Sequence, residues 1–260
     1  MIGAIIGDIV GSVYEFANIK TKHFPLFEPR MEFTDDSILT VATADWLMKG
    51  GKAGDFYRCY ALRYPDPMGC YGSMFEQWVR SGGQRPYNSC GNGSAMRVGP
   101  VGWAFSSEQE VLSAARASAA CTHNHPEGVK GAQATALSVL LARQGASPDA
   151  IRQRVQSDFG YDLSPSVDAI RATYAWNGTC QGTVPQALVC ALEASDFEDA
   201  IRNAVSIGGD SDTLACITGA VAEALFGVPA SMRPVAFDFL PRPLCRVIEK
   251  FEHQYGYKTA

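Results

Sequence analysis

The sequence carries no basic stripe. Only 19% of its 260 residues are charged and the formal balance is −5, so binding along a nucleic-acid backbone is not expected. Small anions stay open, because a cluster of backbone N–H groups holds a phosphate without a basic surface. No run alternates apolar and polar residues between hairpin turns, which leaves no signature of a sheet. No apolar run reaches the ~18 residues of a membrane span. The start, Met1 to Asp8, lacks the positive segment of a secretory signal, and Asp8 interrupts its apolar run. The 8 cysteines include no C-x-x-C pair and read as small buried thiols of a reducing compartment, so the expected location is cytoplasmic. Histidine is scarce, at 4. Two stand together in Thr122-His123-Asn124-His125, with no cysteine at ligand spacing, so hydrogen-bonding roles in a cleft are favoured over zinc.

What is present is helical. Residues 2–14 form a small-residue helix in which Gly3, Gly7 and Gly11 recur at i+4. Glycine costs roughly 1 kcal/mol each in a helix interior, so the stripe needs another backbone pressed against it. Further helices are expected over 38–48, 55–62, 73–79, 108–120, 129–144, 147–156, 166–175, 184–194, 199–206, 213–226 and 243–251. Ser147-Pro148 and Ser164-Pro165 supply start signals for two of them. Residues 65–102, rich in Gly, Pro, Ser and Asn, are expected to be irregular apart from the short piece at 73–79. The expectation is an all-α, compact, orthogonal multi-helix bundle forming one domain over 1–260.

Two helix starts are crowded with oxygen. Thr34-Asp35-Asp36 precedes one apolar helix and Asp210-Ser211-Asp212-Thr213 precedes another. Taken alone, each reads as a cap with acidic first-turn residues. Together, on helices apolar enough to be buried, they ask for a compensating charge. Oxygen-only donors select Mg²⁺, Mn²⁺ or Ca²⁺ over zinc, and the spacing is not that of an EF-hand. Gly91-Asn92-Gly93-Ser94 is neither a Walker A loop nor a G-x-S-x-G elbow; it is a tight turn or a nest for phosphate or ribose oxygens. Tyr71-Gly72-Ser73 is a second anion-binding helix start, and Glu15 lies just beyond the glycine-spaced helix. Arg97 is either structural or paired with a carboxylate.

In order, Gly7-Asp8-x-x-Gly11 with Glu15, Thr34-Asp35-Asp36, Gly91-Asn92-Gly93-x-Ala95-Met96-Arg97, Thr122-His123 and Gly209-Asp210-x-Asp212-Thr213 resemble the ADP-ribosylglycohydrolase family. That family includes the dinitrogenase reductase-activating glycohydrolases and the ADP-ribosyl-acceptor hydrolases. The resemblance implies an all-α fold and a binuclear Mg²⁺ centre, with Mn²⁺ as the alternative ion, on Thr34, Asp35, Asp36, Asp210, Asp212 and Thr213. It also implies an ADP-ribose cleft, with Gly72 and Ser73 near the diphosphate, Gly91, Asn92, Gly93 and Ser94 near the ribose, and His123 in the wall. Glu15 matches the family's glutamate, acting as acid/base or as a gate, and Asp35 shares the catalytic role. The implied reaction is hydrolysis at ribose C1″ of an ADP-ribosylated protein or small molecule, releasing ADP-ribose.

In the arginine-directed members an acidic residue two positions before Gly-Asn-Gly engages the guanidinium. Here that position is Ser89, whose neutral hydroxyl cannot make a bidentate clamp. Ser-x-Gly-Asn-Gly is similar to the serine-directed members, which also cleave O-acetyl-ADP-ribose, so an O-linked acceptor is expected. The rival readings are an ADP-ribosyl-arginine hydrolase, a non-catalytic ADP-ribose-binding regulatory or immunity protein, and a phosphatase-like metal hydrolase.

Overall fold

A computed structural model describes residues 1–256. Its first helix, α1 (Ile2–Gly11), is buried at every position, and one side of it is bare backbone. A Cβ on Gly7 would stand 1.9 Å from the Ala215 carbonyl oxygen, and one on Gly11 2.4 Å from that of Ser211. Both acceptors belong to α13 (Ser211–Phe226), so the glycine stripe lets two helices touch main chain to main chain. The expected packing reason for the three glycines is this helix. A 3₁₀ turn, Ser12–Tyr14, continues α1 towards Glu15.

Around this pair lie α2 (Asp35–Lys49), α3 (Ala53–Arg63), α4 (Ser73–Arg80), α5 (Gly93–Met96), α6 (Gly99–Ala104), α7 (Glu108–Ala120) and α8 (Pro126–Arg143). They are followed by α9 (Pro148–Phe159), α10 (Val167–Thr173), α11 (Cys180–Leu192), α12 (Phe197–Ser206), α14 (Met232–Asp238) and α15 (Arg242–Tyr255). Among the described residues there is no sheet, only two isolated bridges, Thr34 with Met68 and Gly91 with Thr179. The fold is all-α, as expected. No helix among the described residues is long and apolar enough to cross a membrane.

Helix starts follow local chemistry where a hydroxyl is free to cap. Ser107, Ser147 and Thr179 each accept a hydrogen bond from a first-turn N–H of α7, α9 and α11. Several expectations need correction. Helix α11 begins at Cys180, not 184, under the Thr179 cap. Helix α8 begins at Pro126, not 129, because His125 Nδ1 caps it through Glu127 N–H. The start of α10 is Ser166, since the Ser164 hydroxyl is spent on Asp162 at 2.6 Å. Between 65 and 102 the chain is more helical than its Gly and Pro content suggests, with α5 and α6 inside it. The thiols are all free. Cys180, Cys190, Cys216 and Cys245 are buried as expected, but Cys59 and Cys70 are exposed.

Candidate active site

Asp8 is the one acidic residue of α1 and has no solvent exposure. Its carboxylate faces the start of α2. Oδ2 accepts the N–H groups of Thr34 and Ser37 at 3.0 Å each, and Oδ1 accepts the Thr34 hydroxyl at 2.6 Å. Thr34 is also the N-cap, its Oγ1 accepting Asp36 N–H at 3.2 Å. Thr34 therefore caps α2 and anchors Asp8 with one hydroxyl. On a neighbouring face of α1, the glycine contact sets the start of α13. One helix thus fixes both acidic starts.

Between them carboxylates converge. Oxygens of Asp8, Asp36 and Asp212 lie within 4.8 Å of one another, and so do those of Glu15, Asp210 and Asp212. Asp212 belongs to both groups. Thr213 Oγ1 donates to Asp36 Oδ2 at 3.2 Å, which ties α13 to α2 directly. Asp36 Oδ1 is buried with no hydrogen-bond partner. None of these acids is ion-paired among the described residues. Burial, then the neighbouring carboxylates, push Asp35, Asp36 and Asp212 well above the usual carboxylate range. Glu15 is raised to about 7 by burial, then by Asp210 and Asp8. An all-oxygen donor set with a partnerless buried oxygen and no countercharge fits hard divalent cations.

The acids floor a cleft of about 470 Å³, within the range of small-molecule sites. Of the residues expected from sequence, Glu15, Asp35, Asp36, Gly72, Ser73, Ser89, Gly91, Asn92, Gly93, His123, Asp210, Asp212 and Thr213 all line it. Thr34 and Ser94 are not in its wall. Ser94 is fully buried and donates to the Gly128 carbonyl at 2.7 Å. Asn92 reaches the cleft, but its amide is spent on Asp210 Oδ2 at 2.7 Å and Thr183 Oγ1 at 3.1 Å. Ser89 Oγ accepts Gly91 N–H at 2.9 Å, holding its own loop. His125 is the α8 cap, away from His123.

Several residues were not singled out from sequence. Asp8 has no role in the sequence reading, although a carboxylate inside an Ile-rich small-residue helix is a signal in itself. The aromatic wall of Tyr71, Phe75, Tyr87 and Trp176 has no local signature. Arg97 proves to have no carboxylate partner. It lies fully buried, 4.1 Å from the Tyr57 ring centroid, and donates to Ser118 O and Thr122 Oγ1.

Fold and site together define a helical hydrolase with an acidic centre suited to metal ions. The family model of ADP-ribosylglycohydrolase matches residues 1–240, and the chain belongs to that family. It is 27% identical to ADP-ribosylhydrolase ARH3 of Homo sapiens, over 95% of this chain and 92% of that protein. The mouse (Mus musculus) ADP-ribosylhydrolase ARH3 is also 27% identical, with 87% and 82% covered. ADP-ribosylarginine hydrolase Tri1 of Pseudomonas putida (strain GB-1) is 28% identical, with 88% of this chain and 70% of that protein aligned. A solved structure of an ADP-ribosylglycohydrolase-related protein complex superposes with a TM-score of 0.69 at 24% identity, covering 98% of this chain and 93% of that one. That likeness shows the fold.

Proposed function

We propose that residues 1–260 act as one cytoplasmic domain that hydrolyses the ribosyl C1″ bond of O-linked ADP-ribosyl acceptors, serine or O-acetyl-ADP-ribose, using two Mg²⁺ ions. Mn²⁺ is the other candidate ion. The observation that carries the reading is the pair of carboxylate groups sharing Asp212 on the floor of a nucleotide-sized cleft, with Asp36 Oδ1 unpartnered. Bound there, the ions would supply Lewis acidity and a fixed clamp for ribose hydroxyls.

The chain's own groups do the remaining work. Thr34, Asp35 and Asp36 from α2 and Asp210, Asp212 and Thr213 from α13 present the oxygens. Glu15, half-buried beside Asp210 and Asp212, is placed to take a proton from the attacking water or give one to the leaving oxygen. Asp35 lines the same floor and acts with it. Gly72 and Ser73 open α4 towards the diphosphate, and the Gly91–Ser94 loop faces the ribose, Ser94 through its backbone.

The acceptor rests on Ser89. It is neutral and engaged with Gly91, which supports an O-linked acceptor over a guanidinium. Similarity to an arginine hydrolase supports the N-linked alternative. The test is release of ADP-ribose from serine-linked and arginine-linked peptides and from O-acetyl-ADP-ribose, with Mg²⁺ and with EDTA. Faster release from the O-linked substrates, lost in EDTA, is expected. Preference for arginine-linked peptide would overturn the acceptor. Binding of ADP-ribose without turnover would make the chain a regulatory binder, and phosphate release a phosphatase.

A further inference from the structure

Among the described residues Arg97 is the largest fully buried side chain, and none of their carboxylates answers it. Burying a guanidinium is expensive unless it does something for its surroundings. Its Nη2 donates to Thr122 Oγ1 at 2.7 Å, and Thr122 Oγ1 lies 2.7 Å from His123 Nδ1. Protons along this chain can be counted. Arginine only donates, so the Thr122 oxygen accepts from it. Threonine then has one proton to place. The other acceptors are poorer: the Ala119 carbonyl lies at 3.4 Å, beyond the usual 2.5–3.0 Å for an O–H donor, and the Tyr87 hydroxyl and Cys121 thiol beside Thr122 make no hydrogen bond of ordinary geometry to it. The short contact is therefore Thr122 O–H donating to His123 Nδ1. A neutral imidazole that accepts at Nδ1 carries its proton at Nε2.

Nε2 faces the cleft. It lies 3.4 Å and 3.3 Å from where a Cβ would stand on Gly91 and Gly93, so these glycines leave the ring nitrogen uncovered. It has no hydrogen-bond partner among the described residues, and His123 lines the cleft wall. The residue is packed on both sides. Tyr87 N–H holds the Thr122 carbonyl at 3.2 Å, which sets the Tyr87 ring 5.7 Å from the imidazole. On the other side α8 packs so closely that a Cβ on Gly128 would come within 2.9 Å of the His123 Cβ. Burial, then the Arg97 charge, hold the imidazole neutral.

We infer that Arg97 and Thr122 are positioning residues that lock His123 as a neutral Nε2–H donor aimed across the Gly91–Gly93 loop at an acceptor oxygen of the bound ADP-ribose. This rests on the ADP-ribose reading of the cleft, but the tautomer itself does not. An Nε2–H donor selects an oxygen acceptor there and rejects a ligand that presents a donor. Because the relay ends on a cation, it also keeps the imidazole from taking a second proton.

The decisive measurement is long-range ¹H–¹⁵N NMR of the imidazoles in the full, metal-free chain, with His123 assigned by loss of its signals in His123→Gln. The Nε2–H tautomer, unprotonated from about pH 6 to 8, is expected. The Nδ1–H tautomer, or an imidazolium in that range, overturns the proposal whatever the enzyme cleaves. Thr122→Val removes the hydroxyl at constant shape. It is expected to release the tautomer preference and to weaken ADP-ribose binding by calorimetry about tenfold. Thr122→Ser is expected to restore both. Unchanged tautomer and affinity in a folded Thr122→Val overturn the relay, and if that variant does not fold, the wild-type spectrum decides. Failure of the wild type to bind ADP-ribose, with the Nε2–H tautomer seen, would sink the function and leave the relay standing.

Discussion

The two acidic helix starts look alike in sequence and are held differently. The start of α2 is capped by its own Thr34 and gripped from behind by Asp8, through three hydrogen bonds. The start of α13 has no side-chain cap. Asp210, which the spacing would make that cap, points its carboxylate at Asn92 instead. Its loop is tied down by Asn18, which donates to the Gly209 carbonyl at 2.9 Å and accepts Gly209 N–H at 2.7 Å. Gly208 and Gly209, at φ +69° and +83°, make the turn. The α2 half is therefore braced by a buried carboxylate and keeps Asp36 Oδ1 unpartnered, whereas the α13 half is braced by a loop and has Asp210 Oδ2 held by Asn92. The two starts are alike in composition and are secured by different means.

The sharpest break is at the residue both halves share. Asp212→Asn should drop turnover to background and abolish Mg²⁺ or Mn²⁺ binding in calorimetry. It should also raise the melting temperature in EDTA, because it removes a buried carboxyl group that the metal-free fold keeps only at the cost of holding a proton. A fall in that melting temperature would mean the acids are not in mutual strain. Next comes the contact that sets the spacing. A Cβ at Gly11 would meet Ser211 O at 2.4 Å and Asp212 Cα at 2.5 Å, both backbone atoms of the α13 start. Gly11→Ala should cost about 1–3 kcal/mol in urea unfolding and weaken metal binding as well. Wild-type metal affinity in that variant would show that α1 does not set the distance between the halves.

What could be read from sequence was what is local. The Thr34 cap and the two acidic starts each lie within about one turn and the glycine stripe of α1 within one helix, and all were legible. The converse holds for Asp8, whose partners begin 26 residues later, and for Arg97, whose acceptors lie 21 and 25 residues away. No spacing rule joins such pairs before the fold exists. The glycine-rich loop at 91–97 opens onto a possible helix, which is α5, but α6 was hidden because Gly and Pro are poor formers and tertiary packing overrides that preference. The α10 cap was misplaced by two residues because Ser164 and Ser166 look identical until Asp162 claims the first. Most site residues were named from a resemblance rather than from spacing, and the aromatic wall followed from neither.

The asymmetry of bracing gives a smaller contrast. Asp8→Asn can keep a carbonyl oxygen on the Thr34 and Ser37 N–H groups, but it puts an NH2 where Oδ1 accepts the Thr34 hydroxyl, which must then turn away. It should cost about 2 kcal/mol in EDTA, within the penalty for disturbing a buried hydrogen-bonded group. Asn18→Ala acts at a more exposed brace and should cost about 1 kcal/mol. Urea unfolding of both variants ranks the braces, and a larger loss at Asn18 would reverse the comparison.

The smallest expected effect is a pH dependence that changes sign with metal. Glu15 rises from the usual 4.5 to about 7 in the folded chain, and Asp35, Asp36 and Asp212 move the same way. Below 4.5 the glutamate holds its proton in both the folded and unfolded states. Between 4.5 and about 7 only the folded, metal-free chain keeps it, so unfolding releases a proton and stability declines as pH rises through that window. A cation inverts this, because it needs the carboxylates ionised and displaces their protons on binding. The melting temperature in EDTA should therefore be lower at about pH 8 than at about pH 5, and the gain on adding Mg²⁺ should be larger at the higher pH. A metal-free chain that becomes more stable over that rise would mean its acids are already ionised and satisfied, and the case for a cation between the two helix starts would fall with it.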